Sequence, residues 1–317
     1  MLKPTAQSAP DVAACIAAEI KAPAAAPLSA LADAIRRRHG PAVAAILYYG
    51  SCFRTGEVAG HVVDLYVLVD GYRAAYGRTA PALFNALLPP NVYALEIGSD
   101  GETVRAKYAV LSLRSFCRGA SRRAWLCSIW ARFCQSCALV YARDEAAEAF
   151  VVETLAAAVE TMVRATEPLM PATFTPQDLW VTGFAETYRT EVRAERSDRP
   201  LALYQSDARR YDRLAQAVLG ADTASPPDNA VLRRVSSRGR GRRTRAAWWA
   251  RRRLGKTASL LRLVKGVYTF AGGVDYILWK VEQHSGVTIT LSPWQRRHPV
   301  LAAPCVLLRH FRRGAFR

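Results

Sequence analysis

Apolar and polar positions change their period along this chain, and the changes mark out its elements. Short runs rich in branched and aromatic residues, Ile46–Tyr49, Val62–Val69, Tyr93–Ile97, Val104–Leu113 and Cys137–Ala142, are bounded by Gly, Pro, Ser and Asp and predict β-strands. Ser99–Gly101 is a turn sequence between the third and fourth of them. Helical periodicity appears at Pro27–His39, with Ser29 a candidate cap, and at Arg73–Leu88, Ser121–Cys134, Asp144–Thr166, Thr175–Arg196 and Asp207–Leu219. Thr175 with Asp178 three residues on is close to a capping box. The order predicts an α+β fold, a mixed sheet with helices in residues 1–143 and a helical domain in 144–228. A basic C-terminal module, 229–317, follows the linker Ala221–Asn229.

One segment carries the chemistry. Ile46–Tyr49 ends at Gly50-Ser51, a polar loop follows, and the next apolar run holds one acid, Asp64. Gly-Ser at a strand end lets the backbone approach a phosphate, and the N–H groups of the turn can hold its oxygens. A carboxylate on the next strand can hold Mg²⁺ against the same phosphates. An acid inside VVDLYVLV is costly to bury without a charged partner. Asp70 shares its strand parity, and Glu96 lies in another apolar strand. Either could be a second metal ligand; Asp70 could equally only end its strand, and Glu96 could be a paired surface residue. Lys107, also mid-strand, is either a phosphate ligand or a snorkelling edge residue. Arg189 and Arg193, four apart on one helix, are either an acceptor clamp or ordinary helix-surface pairs.

Gly-Ser followed about a dozen residues later by an acid in a hydrophobic strand resembles the polymerase-β-like nucleotidyltransferases. The position two after the acid, where that superfamily has a second one, is Tyr66. AKYAVLSLRSF (Ala106–Phe116), WARFCQSCALV (Trp130–Val140) and MPATFTPQDLWVTGFAETYRTEVRAE (Met170–Glu195) follow in order. Together they resemble the mitochondrial-type phosphatidate cytidylyltransferases, the translocator assembly and maintenance family, over residues 45 to 215. Cys52 stands for the second glycine of that family's YGSG, Gln135 for its lysine and Ser136 for its proline, so Arg132 is the nearest replacement cation. The resemblance implies a nucleotidyltransferase that makes CDP-diacylglycerol and pyrophosphate from CTP and phosphatidic acid with Mg²⁺. Gly50, Ser51 and Arg132 would bind nucleotide, Asp64 and Glu96 metal, Asp64 and Lys107 would serve catalysis, and Arg189 and Arg193 the acceptor. The alternatives are transfer to an RNA end or a small alcohol, or a degenerate fold acting as a membrane or nucleic-acid adaptor.

Charge changes the picture once more. The net charge of +18 falls in the last quarter, where from Asn229 on Lys and Arg outnumber Asp and Glu by 20 to 2. Such a run is a solvated face, a nucleic-acid binder, or a surface that lies on an anionic membrane with Trp248, Trp249, Trp279 and Trp294 at the interface. The apolar runs around Leu260, Ile277 and Leu301 favour the membrane over nucleic acid. No apolar run approaches the roughly 20 residues of a spanning helix, and Asp11, Glu19 and Asp33 argue against a transit peptide. A peripheral place on the cytoplasmic face of the inner membrane is the expectation, or on the matrix side in a mitochondrion. Seven cysteines without scaffold spacing read as reduced thiols. Cys134-x-x-Cys137 reads as buried thiols before zinc or redox chemistry.

Overall fold

A computed structural model describes residues 11–21, 26–57, 61–77, 79–99, 102–191, 198–220, 231–234, 238–269 and 290–297. It is α+β, and its centre is a mixed five-stranded sheet. The strands are β1 (Val43–Tyr49), β2 (Val62–Val69), β3 (Asn91–Ser99), β4 (Glu102–Ser112) and β5 (Ala138–Ala142), in the order β3-β4-β2-β1-β5. β2 and β4 run parallel; the other neighbouring pairs are antiparallel.

Alternation along the central strands makes two apolar faces. Ala45, Leu47, Tyr66, Leu68, Ala109 and Leu111 belong to the larger core. Helices α1 (Val12–Glu19), α6 (Leu113–Ala120), α7 (Trp130–Phe133), α8 (Glu145–Thr166), α9 (Pro176–Tyr188), α10 (Arg199–Gln205) and α11 (Ala208–Leu219) complete that core. Ile46, Tyr48, Leu65, Val67, Tyr108 and Val110 pack on the other side with Leu31 and Ile35 of α2 (Ala26–His39). Arg210 is 3 % exposed; it donates to Glu19 at 2.6 Å and to the Cys134 carbonyl at 3.0 Å, tying α11 to α1 and α7.

Several elements differ from the sequence reading. α2 begins at Ala26, a turn before Ser29. The expected helix 73–88 is split by Gly77, at φ 56°, into α4 (Tyr72–Tyr76) and α5 (Thr79–Leu87). The helix expected over 121–134 is one turn, α7, because Ser121 takes an extended conformation that ends α6. α9 has the full Thr175–Asp178 capping box but ends at Tyr188, where the Thr187 and Thr190 hydroxyls donate back to backbone carbonyls. α1 and a short pair of strands, β6 (Thr173–Phe174) and β7 (Leu232–Arg233), were not read from sequence.

The basic segment is the largest departure. Residues 238–269 form one helix, α12 (Arg238–Thr269), laid along the body. Trp248 is 1 % exposed, donates from Nε1 to the Ala165 carbonyl at 3.1 Å and meets Trp130 edge-on at 5.8 Å. Its place at a membrane interface is therefore corrected: it is a core residue. A Cβ at Gly255 would lie 2.5 Å from the Thr190 carbonyl oxygen, so only glycine permits this approach. Further along, Arg262 donates to the Pro89 carbonyl at 2.9 Å. Lys265 donates to Leu88, to the Pro90 carbonyl at 2.8 Å and to Asn91 Oδ1 at 3.0 Å. Trp249 and Trp294 are exposed; Trp279 lies outside the described residues. Among the described residues no helix is long and apolar enough to cross a membrane.

Candidate functional site

β1 delivers the chain to Gly50, which turns it at φ 94° into the five-residue helix α3 (Ser51–Thr55). A Cβ at Gly50 would stand 2.8 Å from Oδ2 of Asp64. Tyr49 and Asp64 are register partners, so the antiparallel pairing of β1 and β2 sets the carboxylate beside the turn. The first-turn N–H groups of α3 have no acceptor within the helix and are available to an oxyanion. Ser51 is exposed at this turn, whereas Cys52 is buried and donates its Sγ–H to the Val62 carbonyl at 3.4 Å.

Cations crowd this carboxylate. Lys107, the β4 register partner of Asp64, places Nζ 3.2 Å from Oδ1, with both side chains partly exposed. Arg54, one turn into α3, reaches Gln135 Oε1 at 3.5 Å. Burial, with Arg199 nearby, lowers its pKa, while Tyr211, Tyr188 and Asp64 favour its charge. Arg54 thus brings a charge to Gln135 from another element.

Arg132 occupies the space on the Tyr66 side. Its Nη1 donates to the Tyr66 hydroxyl at 3.1 Å, and its guanidinium lies 5.3 Å from the Tyr49 ring centre and 5.7 Å from that of Tyr66. Burial opposes its charge, but Tyr66, Tyr49, Glu191 and Asp64 outweigh that, and its pKa is raised. Arg262 of α12 approaches the same group: burial lowers its pKa, Tyr66 and Glu191 favour its charge and Arg132 opposes it. The residue two after Asp64 therefore holds a cation where a paired acid would hold a metal.

The expected residues divide clearly. Gly50, Ser51, Asp64, Lys107 and Arg132 come together around the β1–α3 turn. Glu96 does not; it lies on β3, two strands from β2, and pairs with Arg105 at 2.8 Å. Asp70 lies beyond the far end of β2 and pairs with Arg143 at 2.6 Å. Arg189 is 61 % exposed and pairs with Glu186 at 2.6 Å, as a helix-surface residue would. Arg193 lies outside the described residues. Sequence reading missed Arg54, Arg199 and Arg262. Arg54, in the first helical turn after the Gly-Ser element, was the one with a visible signal.

Among the described residues no three His, Cys, Asp or Glu side chains converge as a metal-holding group. One carboxylate fits a Mg²⁺ shared with substrate phosphates, the usual way that ion is held, and not one caged by protein alone. Cys134 and Cys137 are buried thiols, both pushed up to about 12 by burial, which leaves them unreactive. Chemically the site is a backbone turn beside an acid paired with Lys107, with Arg54 and Arg132 near enough to feel its charge, an arrangement suited to a polyanion.

No protein-family model matches the chain, and no curated protein does. Among solved structures it is similar to a nucleotidyltransferase-like protein from Exiguobacterium sibiricum 255-15, at 12% sequence identity over 90% of this chain and 92% of that one. The TM-score is 0.24, too loose a superposition to bear on activity.

Proposed function

We propose that the chain is a nucleotidyltransferase that moves CMP from CTP to the phosphate of phosphatidic acid, forming CDP-diacylglycerol and pyrophosphate. The observation that carries this reading is the close approach of Gly50 to Asp64, which joins a phosphate-sized turn to an acid on the next strand. The N–H groups of α3, with Arg54 and Lys107, would take the triphosphate oxygens. Asp64 would hold one Mg²⁺ brought with the nucleotide, an ion that supplies charge neutralisation. Lys107, paired with Asp64 at 3.2 Å, would exchange the carboxylate for a phosphate.

A phosphate acceptor is anionic at neutral pH, so its oxygen attacks the α-phosphorus without a general base, and the bond to the β-phosphate oxygen breaks as pyrophosphate leaves. Catalysis then rests on positioning and on cations that meet the departing charge. A lipid acceptor is supported by the exposed apolar side chains Leu83, Phe84 and Leu87 of α5, next to the 88–91 segment that Arg262 and Lys265 grip. On this reading the protein works at an anionic bilayer surface, on the cytoplasmic face of an inner membrane or its matrix-side counterpart.

One observation favours a second reading, a phosphate-binding adaptor without turnover: the Tyr66–Arg132 pair at the second-acid position. Release of pyrophosphate from each nucleoside triphosphate, with Mg²⁺ and phosphatidic acid in mixed micelles, decides between them. CTP-specific, lipid-dependent release that is lost in Asp64→Asn supports the enzyme. Binding of nucleotide without release from any of them supports the adaptor.

A further inference from the structure

Away from the β1–α3 turn, α8, the turn after α6 and the first half of α12 line a cleft of about 300 Å³. Its charged lining is Arg122, Arg164, Arg243 and Arg251 against one carboxylate, Glu167. We infer that this cleft is a second anion site, built for a phosphate or pyrophosphate group.

Two of its arginines are already in place. Arg164, in the last turn of α8, donates to the Val218 carbonyl at 3.0 Å, which fixes one edge of its guanidinium and leaves the other for a ligand. Arg251 lies over the Trp248 ring at 5.3 Å, against a side chain that itself donates to the Ala165 carbonyl. The buried Nε of Arg251 has no hydrogen-bond partner. A guanidinium set over an aromatic ring with an unsatisfied buried donor is an arrangement that an anion completes, since an unpaired buried donor costs about 1–3 kcal/mol. Arg122 and Arg243 are exposed and without an ion pair among the described residues, free to close over the ligand. Four guanidinium groups against one carboxylate leave the lining with a net excess of positive charge, which a bound anion would offset. Forked donors from several directions match the tetrahedral oxygens of phosphate. The Thr244 hydroxyl, on the same lining, adds a neutral donor.

The inference is independent of the nucleotidyl-transfer reading. The lining of this cleft includes none of Gly50, Ser51, Arg54, Asp64 or Lys107, so it shares no residue with the β1–α3 turn.

The test is titration calorimetry with inorganic pyrophosphate on the full chain and on Arg122→Ala/Arg243→Ala, two exposed positions whose loss leaves the core untouched. The expected result is that one binding event present in the wild type weakens by about tenfold or more in the double variant, from the loss of charge-assisted hydrogen bonds. This holds whether or not the β1–α3 turn also takes pyrophosphate, because Arg54→Ala should spare this event. A second arm measures binding to neutral vesicles with and without phosphatidic acid. Loss of the phosphatidate-dependent part in the double variant assigns the site to a lipid headgroup; loss of pyrophosphate binding alone assigns it to a soluble phosphate. Unchanged binding in both arms overturns the inference.

Discussion

Gly50 and Asp64 stand so close that a methyl group on Gly50 would lie 2.8 Å from the Asp64 carboxylate oxygen. Gly50 also sits at φ 94°, where a side chain is strained. Gly50→Ala is therefore expected to cost about 1–3 kcal/mol through the backbone and to displace Asp64. Nucleotide affinity should fall further than stability, as calorimetry beside chemical denaturation would show; equal affinity in the variant would remove the turn from the site.

Lys107 separates structural from functional value. Its ion pair with Asp64 is partly exposed, at 36% and 26% side-chain accessibility, so solvent screens it. Lys107→Met should change stability by less than about 1 kcal/mol. Triphosphate affinity should drop about tenfold, the size of one charge-assisted contact. A stability loss with unchanged affinity would make Lys107 only the partner that keeps Asp64 in its strand.

Trp248 and Trp249 test the place of α12. Trp248→Ala removes a buried ring and should cost about 3–5 kcal/mol, whereas Trp249→Ala, 58% exposed, should stay within about 0.5 kcal/mol. Urea midpoints of the two variants give the comparison. If Trp248→Ala is as benign as Trp249→Ala, the helix is not part of the body.

The Glu19–Arg210 pair should behave as a buried bridge does when one partner is lost. Glu19→Gln leaves the Arg210 guanidinium, 3% exposed, without its 2.6 Å carboxylate. A cost of about 3–5 kcal/mol is expected, read from the same denaturant series.

The buried thiols set an alkaline limit. Cys127, Cys134 and Cys137 are each pushed from 9.0 up to about 12, by burial above all. Their folded-state values exceed the unfolded ones, so their contribution is complete below pH 9 and is lost as pH rises from there through about 12. Stability of the wild type should fall more steeply between pH 9 and 11 than that of Cys127→Ala/Cys134→Ala/Cys137→Ala. Parallel slopes would mean that the thiols ionise as readily folded as unfolded.

The β1–turn–β2 unit was legible because its signals are local: two apolar runs, a glycine followed by serine between them, and one acid inside the second run. The cations around the turn were less so. Lys107 was visible as a charge in a strand, but Arg54 comes from a five-residue helix, Arg199 beside it from α10, and Arg262, which acts on Arg132, from the far end of α12. Such convergence depends on tertiary packing and leaves no local period. Glu96 was misleading for a different reason. Counting outward from the hairpin turn pairs Ser99 with Glu102 and Glu96 with Arg105, so its salt bridge was present in the register and not in the composition. In α12 the dense arginines hid a stripe that faces the body: Gly241, Trp248, Gly255 and Arg262 recur every seven residues and meet Pro168, Ala165, Thr190 and Pro89 in turn. Charge dominated the reading of that segment, while two glycines, a tryptophan and an arginine at heptad spacing fixed its position.

The most direct measurement is detection of the lipid product. Wild type and Asp64→Asn are incubated with CTP, Mg²⁺ and phosphatidic acid in mixed micelles, and the lipid extract is weighed by mass spectrometry. The expected result is CDP-diacylglycerol from the wild type and none above background from Asp64→Asn. Equal lipid profiles from the two proteins, with no CDP-diacylglycerol in either, would contradict nucleotidyl transfer to phosphatidic acid at this site.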